Sequence, residues 1–495
     1  MLEEYRREYA DFNTRQMREY YLFLSGQKTG LELTQIYERY SDLFTREVIE
    51  QFQQLRQETP AHFETNYASI NHLLVFATDQ YMENTAKTLT EEISQYEAAA
   101  KIEWQGQEIP LQGAFVAIKA ERNRAARQAI YKKRAALTED ANDLRAERLM
   151  KLHTAAQALG HKSYTTLYEE LRNQDYEELS RQLQNFLEKT EAVYITRMDE
   201  ALRRDLNLKI EDAERVDALY FANLIGFDRH FPADQLLRVY AETMQGLGIA
   251  IEKQENVEVD SAERPRKSPR AFCAPIRIPE EVKLVIRPVG GQSDYQAMLH
   301  EAGHAQHYGW AAADLRPEFK YTGDYALTET YAFLFNHLPF DSAWLTEMLD
   351  FRNHTDFVRS VMVSRLMAIR RYAAKFIYEC ELHSGNSLTN AAERYAELQT
   401  DATKFKTGES EFLFDLDDAF YSSSYLRAWA FEVALREYLK TKFDRYWWRS
   451  KRAGDFLKEI WHTGDRYNAD EMAAQIGLGK IGFDLLIDEF NQKLK

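Results

Sequence analysis

The chain is short of the residues that punctuate structure. Its 495 residues include 20 glycines and 10 prolines, together about 6% of the chain where an ordinary domain carries about 12%. So few turn formers cannot end the many short strands of a sandwich, and they equally exclude a collagen or a low-complexity disordered chain. Cysteine is nearly absent. Cys273 and Cys380 are the only two, too few for a disulfide framework and in keeping with a reducing compartment. Long apolar runs are missing as well: none approaches the ~20 residues that span a bilayer. The opening residues, MLEEYRREYADF, are charged from position 3, unlike the apolar region of a signal peptide. Basic residues are outnumbered, 63 Lys and Arg against 79 Asp and Glu, for a net charge of −16. Such a chain is a poor binder of polyanions, so neither nucleic acid nor an anionic membrane is an expected partner. The expected setting is the cytoplasm.

Aromatic residues, by contrast, abound, with 28 Phe, 29 Tyr and 7 Trp, enough for a large buried core. The default is a mainly helical, all-α body. Residues 1–25 and 31–58 read as amphipathic helices, broken at Ser25-Gly26 and stopped by Pro60; a third fills 62–98. KIEWQGQEIPL (101–111) alternates around Gly106 as a small hairpin. Helical periodicity resumes at 114 and runs to about 247, with breaks near 138, 160 and 208, Gly160 ending one helix. The texture changes at 248. GIAIEKQENVEVD is β-like, RPRKSPR (264–270) reads as a solvated loop, and AFCAPIRIP and EVKLVIRP read as two strands that end at Gly290-Gly291. VKLVIRP is either an internal strand or an edge able to pair with an extended peptide. Beyond 293 the chain is helical again, with loops near 311–324, 384–388, 405–415 and 477–482.

The chemistry sits just after this small sheet. Residues 300–304 read His-Glu-Ala-Gly-His. On a helix, positions i and i+4 share a face, so His300 and His304 can hold one metal ion while Glu301, about 100° around, reaches a water beside it. Ser293 and Gln296 are spaced as a capping box for that helix. Catalytic zinc wants three protein ligands and an open position. The metzincin spacing fails, because His307 and Trp310 stand where Gly and His would be. Among the acids downstream, Glu329 on an amphipathic stretch ending at Pro339 is preferred as third ligand; Asp324 is the second candidate and reads better as that helix's cap. Zinc lowers the pKa of bound water to roughly 7, and Glu301 is the general base and later the acid. His307 reads as packing or support for the site. Cys273 reads as a small apolar strand residue, and Arg427 either pairs with Asp417 or Asp418 or binds a peptide carboxylate.

The block LHEAGHAQH, with Glu329 25 positions past the second histidine, resembles the thimet oligopeptidase and oligoendopeptidase F family of zinc peptidases. ALGHKSYTTL (158–167) is similar to upstream helices of that family's catalytic domain. FYSSSYLRAWAFEV (420–433) is similar to its tyrosine-rich active-site segment, with a Tyr425-Leu426-Arg427 pattern also seen in angiotensin-converting enzyme. The resemblance implies a two-lobed, zincin-like helical body with one small sheet beside the active site, a deep central channel, one Zn²⁺ per chain, and short peptides as substrates. It carries over His300, His304 and Glu329 as ligands, Glu301 as base, and Tyr421 and Tyr425 as active-site tyrosines. Two positions depart: Ala428 stands where a third tyrosine would fall, and Leu416 where the family has a histidine. These implications lead us to expect an N-terminal helical lid region over 1–115 and a catalytic region over 116–495, its lobes interleaved in sequence. A zinc carboxypeptidase or dipeptidyl carboxypeptidase on the same fold, and a silent peptide-binding protein that kept the scaffold, are the alternatives. Intact Glu301 speaks against the last.

Overall fold

Scarce glycine and proline leave long stretches in which helical hydrogen bonding is uninterrupted, and long helices result. The computed structural model describes residues 2–60, 64–385 and 388–495. Its longest helices are Glu64–Ala99, Tyr176–Leu206 and Thr355–Ser384. The first two positions of the helix expected over 62–98, and positions 386 and 387 of the loop expected at 384–388, lie outside the described residues. No helix among the described residues is long and apolar enough to cross a membrane.

Side-chain caps cut the helical regions more finely than periodicity suggests. The expected helix 31–58 is divided into Thr34–Arg39, a 3₁₀ turn at Ser41–Phe44, and Arg46–Glu58. Thr45 is the reason: it is extended, and its hydroxyl accepts from Val48 N, starting a new helix. Within 114–247, Asn123 and Asp175 cap helices at breaks that apolar spacing alone does not reveal. The break at Gly160 is as expected. There the chain takes a left-handed turn and restarts on a Ser163–Thr166 capping box.

Strands are few. The hairpin β1 (Lys101–Trp104) and β2 (Gln107–Pro110) forms as the alternation predicts. A second sheet holds β3 (Val257–Asp260), β4 (Phe272–Arg277) and β5 (Glu281–Val285) in the order β3-β5-β4. β5 pairs parallel with β3 and antiparallel with β4, so VKLVIRP is internal and has no free edge. The edge strands are β3 and β4, and Pro275, which has no N–H to offer a neighbour, sits on β4 at low cost. RPRKSPR is also not simply solvated. Lys267 is buried, its ammonium donating to Asp260 O at 2.6 Å, Asp260 Oδ1 at 3.1 Å and Ala262 O at 3.0 Å, while Arg264 clasps the same carboxylate.

The chain divides into two compact units, each assembled from separate stretches. One comprises Met1–Thr78, Ile225–Val358 and Arg427–Leu485; the other comprises Asp79–Leu224, Arg359–Leu426 and Leu486–Lys495. In the first, the three-stranded sheet buries Ala274, Ile276 and Val285 against Tyr21 of the helix Leu2–Leu24. The helix Gln292–Gly309, which carries the HEAGH block, packs on that sheet and on the helix Tyr325–Asn336. The latter is buried at ten consecutive positions, Ala326 to Phe335. A helix buried all round is normally apolar throughout, so the polar Thr328 and Glu329 within it demand an explanation. In the second unit, Ile102 of the hairpin packs with Ala114, Ile118, Ile130 and Val216.

Candidate metal centre

The motif helix begins where the chain turns through Gly290 and Gly291, at φ of 85° and 94°. A Cβ on Gly291 would stand 2.9 Å from Asp228 Oδ1, so this turn needs glycine on grounds of both conformation and space. The expected Ser293–Gln296 capping box does not form. Gly291 is the N-cap, with no side-chain bond of its own. Asp228 reaches in from elsewhere in the fold to accept from Gln292 N at 3.0 Å, and Asp294 turns back to accept from Val289 N at 2.6 Å and Gly290 N at 2.8 Å. Ser293 is one residue inside the helix and has no capping task left.

From this start, His300 and His304 face the buried helix Tyr325–Asn336. His300 Nε2 lies 3.4 Å from Glu329 Oε2, and His304 Nε2 lies 3.8 Å from Glu329 Oε1. The ligand atoms of the three residues all fall within 4.8 Å of one another. Donors about 2.1 Å from a tetrahedral zinc are about 3.4 Å apart, so the set of two imidazoles and one carboxylate fits that ion in both chemistry and spacing. Burial pushes the His300 imidazole down to about 4 and His304 well below its ordinary value. Both rings are neutral and keep a lone pair. The approach of the two helices depends on Gly303, where an added Cβ would stand 2.5 Å from Tyr331 O and 2.6 Å from Ala332 Cα.

Glu301 is held from the sheet side. Its Oε2 accepts from the backbone N–H of Cys273 at 2.9 Å, on the free edge of β4. Burial pushes its carboxyl up to about 8; the Cys273 N–H opposes this and the nearby Glu329 charge adds to it. A divalent cation at the three donors would draw the value back down. The Cys273 thiol is pushed well above its ordinary value by burial, which suits an inert strand residue better than a reactive one.

Asp324 has another task. It caps the helix Tyr325–Asn336 by accepting from Ala326 N at 3.0 Å, accepts from Ala469 N at 3.0 Å, and binds Arg427 at 2.9 Å. Burial raises its pKa, but Arg427 and the two N–H groups outweigh that and hold the carboxyl below its ordinary value. Arg427 does not pair with Asp417 or Asp418. It is buried and divided between Asp324 and Asp470, the latter at 2.8 Å. Asp417 is instead taken by Lys375, and Asp418 by Arg148. Both sides of the guanidinium are thus engaged by carboxylates of the protein itself. Ala428 is fully buried, with its carbonyl 3.5 Å from Thr330 Oγ1.

His307 lies fully buried behind the site. Its Nδ1 is 3.4 Å from Thr328 Oγ1 and its Nε2 is 3.3 Å from Gly464 O, while its ring packs on Tyr308 and Tyr331. Thr328 also lies 2.9 Å from His304 Nδ1. Sequence reasoning overlooked Thr328, the Cys273 N–H and the close approach at Gly303. Only the last left a signal, the glycine inside HEAGH.

Tyr421 and Tyr425 belong to the second unit, at the start of the helix Tyr421–Lys442. Their rings meet edge to face at 5.0 Å, and Tyr425 meets Tyr372 at 5.5 Å. The preceding Ala419 and Phe420 both have left-handed φ, near 55°. That turn is held by Tyr164, whose hydroxyl accepts from Ala419 N, and by the buried Glu379, which accepts from Asp417 N at 2.7 Å and meets the Ser422 hydroxyl. Leu416 lines a cavity of about 270 Å³ in this unit, together with Arg145, Arg148 and His383.

No family model matches the chain, and no curated protein sequence does. Solved structures do. A Bacillus anthracis (strain Ames) protein assigned as an oligoendopeptidase F superposes with a TM-score of 0.67 at 14% identity, over 98% of this chain and 89% of its own. The chain has the oligoendopeptidase fold. PZ peptidase A, solved with an inhibitor, matches with the same TM-score and identity, over 98% of this chain and 90% of its own. The family resemblance carried by HEAGH and Glu329 therefore points to the same fold that the whole chain adopts: an all-α, zincin-like body with small sheets.

Proposed function

We propose that this chain is a zinc-dependent oligopeptidase that hydrolyses short, unstructured peptides. The observation that carries the reading is the convergence of His300, His304 and Glu329 at the spacing of one tetrahedral ion, with Glu301 beside them. Zinc held by these three residues would act as a Lewis acid, making water nucleophilic near neutral pH and polarising a peptide carbonyl. The remaining work belongs to the chain. With Glu301 Oε2 engaged by Cys273 N–H, Oε1 is the oxygen left to accept the proton of the attacking water and to return it to the leaving amine. One carboxyl can act first as base and then as acid when its pKa lies near the working pH; burial raises that of Glu301, and the charge of a bound cation would draw it back down toward that range.

Tyr425 is the proposed donor to the developing oxyanion, and Tyr421 the residue that aligns the substrate. Support comes from the resemblance of FYSSSYLRAWAFEV and from the chemistry of a phenol; Ala428 has no donor to offer. Short peptides are the substrates the family resemblance implies, and a concave site walled by helices would favour an extended chain over a folded one. Glu301→Gln tests the mechanism. The variant is expected to bind one equivalent of zinc and to lose nearly all turnover of a mixed peptide pool, with product masses read to separate internal from C-terminal cleavage. Near-normal activity in that variant would refute the role of Glu301.

A further inference from the structure

Three polar groups behind the candidate metal site form a directed chain. The direction can be worked out from its far end. A carbonyl oxygen only accepts, so His307 Nε2, 3.3 Å from Gly464 O, carries a hydrogen. His307 is fully buried, and burial disfavours its charged form, so with the hydrogen on Nε2 its Nδ1 is an acceptor. Thr328 Oγ1 stands 3.4 Å from that nitrogen and 3.5 Å from the Tyr308 hydroxyl. A hydroxyl has one proton, and the acceptor nitrogen of His307 takes it; the Tyr308 hydroxyl carries a proton of its own and makes no claim on it. Toward His304 Nδ1, at 2.9 Å, the threonine can therefore only accept. His304 must carry its hydrogen on Nδ1, which leaves the lone pair on Nε2, the nitrogen that faces Glu329.

We propose that Thr328 is a positioning residue that fixes the tautomer and ring direction of His304, in a relay anchored through His307 on the Gly464 carbonyl. A liganding histidine commonly donates its second N–H to a carboxylate or a backbone carbonyl; here a threonine hydroxyl does this work and passes the constraint to a second, non-liganding histidine. Three features of the structure belong to this arrangement. Thr328 lies next to Glu329 on a helix buried along ten residues, where an unbonded hydroxyl would be costly, and the relay gives it partners. His307 lies one helical turn past His304 and is buried without being in the ligand cluster. Gly464 presents its carbonyl from a left-handed turn at φ 56°, and a Cβ there would stand 2.5 Å from Phe319 O, so the anchor is set by a backbone that other residues would not adopt.

The inference rests on the proposed metal site, and its test separates the two. Zinc affinity is measured by competition with a chelator of known affinity, using wild type, Thr328→Val, Thr328→Ala and Thr328→Ser, with thermal unfolding of each metal-free protein as the check on folding. Valine keeps the shape and removes the hydroxyl; alanine does the same without a branch against His307, and serves if valine does not fold. Loss of the hydroxyl is expected to weaken zinc binding by about 10- to 100-fold, and serine to hold within about threefold of wild type. Tight binding by both hydroxyl-free variants overturns the relay, as does equal loss in serine and valine. A wild-type protein that binds no zinc refutes the metal site itself.

Discussion

Gly303 offers the sharpest test of how the two helices that carry the proposed ligands are held together. In Gly303→Ala the new methyl would stand 2.5 Å from Tyr331 O, 2.6 Å from Ala332 Cα and 2.9 Å from Ala332 N. All three are backbone atoms of the partner helix and cannot rotate away. Restoring ordinary contact near 3.4 Å requires the helices to part by about 0.9 Å. Overpacking of this kind costs about 1–3 kcal/mol, against about 1 kcal/mol regained from alanine's better helix propensity. The net loss of stability is therefore modest, about 0–2 kcal/mol. The proposed metal site has far less tolerance. Ligand distances at a zinc centre hold to about 0.2 Å, and the separating helices carry His300 and His304 on one side and Glu329 on the other. Zinc affinity is expected to fall at least about tenfold, more than the change in folding would suggest. Urea unfolding of the metal-free variant gives the first quantity and chelator competition the second. A folded Gly303→Ala protein with wild-type zinc affinity would refute the argument that this glycine sets the ligand spacing.

Arg427→Ala removes the cation paired with the Asp324 carboxylate, leaving it the N–H groups of Ala326 and Ala469, so stability is expected to drop by about 3 kcal/mol in denaturant melts; a folded variant of normal stability with only a raised KM would instead make Arg427 a substrate group. Glu379, pushed up to about 8 by burial and the Asp417 charge against the pull of Lys375, keeps its proton when folded and loses it on unfolding. Stability is therefore expected to decline as pH rises from about 4.5 to 8, and Glu379→Gln, which can keep both hydrogen bonds, should flatten that decline in urea melts; an unchanged pH slope would contradict a proton held there. Tyr425→Phe should lower kcat by about 10²-fold with KM little moved, and Tyr421→Phe should act mainly on KM, both read by steady-state kinetics at equal zinc content. An unaltered kcat for Tyr425→Phe removes it as oxyanion donor.

What the sequence determined by itself are the features in which neighbours along the chain suffice. Helical content followed from scarce turn formers, the hairpin from alternation around Gly106, and the pairing of His300 with His304 from the pitch of a helix. The choice between Asp324 and Glu329 was partly legible, since a residue at the head of an apolar run is a natural cap. Tertiary structure decided whatever depends on which segments lie side by side. β5 became internal because β3, from beyond the Lys267 loop, pairs along its other side. Asp228 took over the cap that Ser293 and Gln296 were spaced to make. Arg427 went to Asp324 and Asp470, 103 and 43 positions away, rather than to its near neighbours Asp417 and Asp418. Thr328 acquired a purpose only when His304 and His307 from another helix were set against it. In each case the local candidate was chemically adequate. The partner that prevailed was the one packing brought within hydrogen-bonding distance, and a buried polar group binds whatever partner reaches it there.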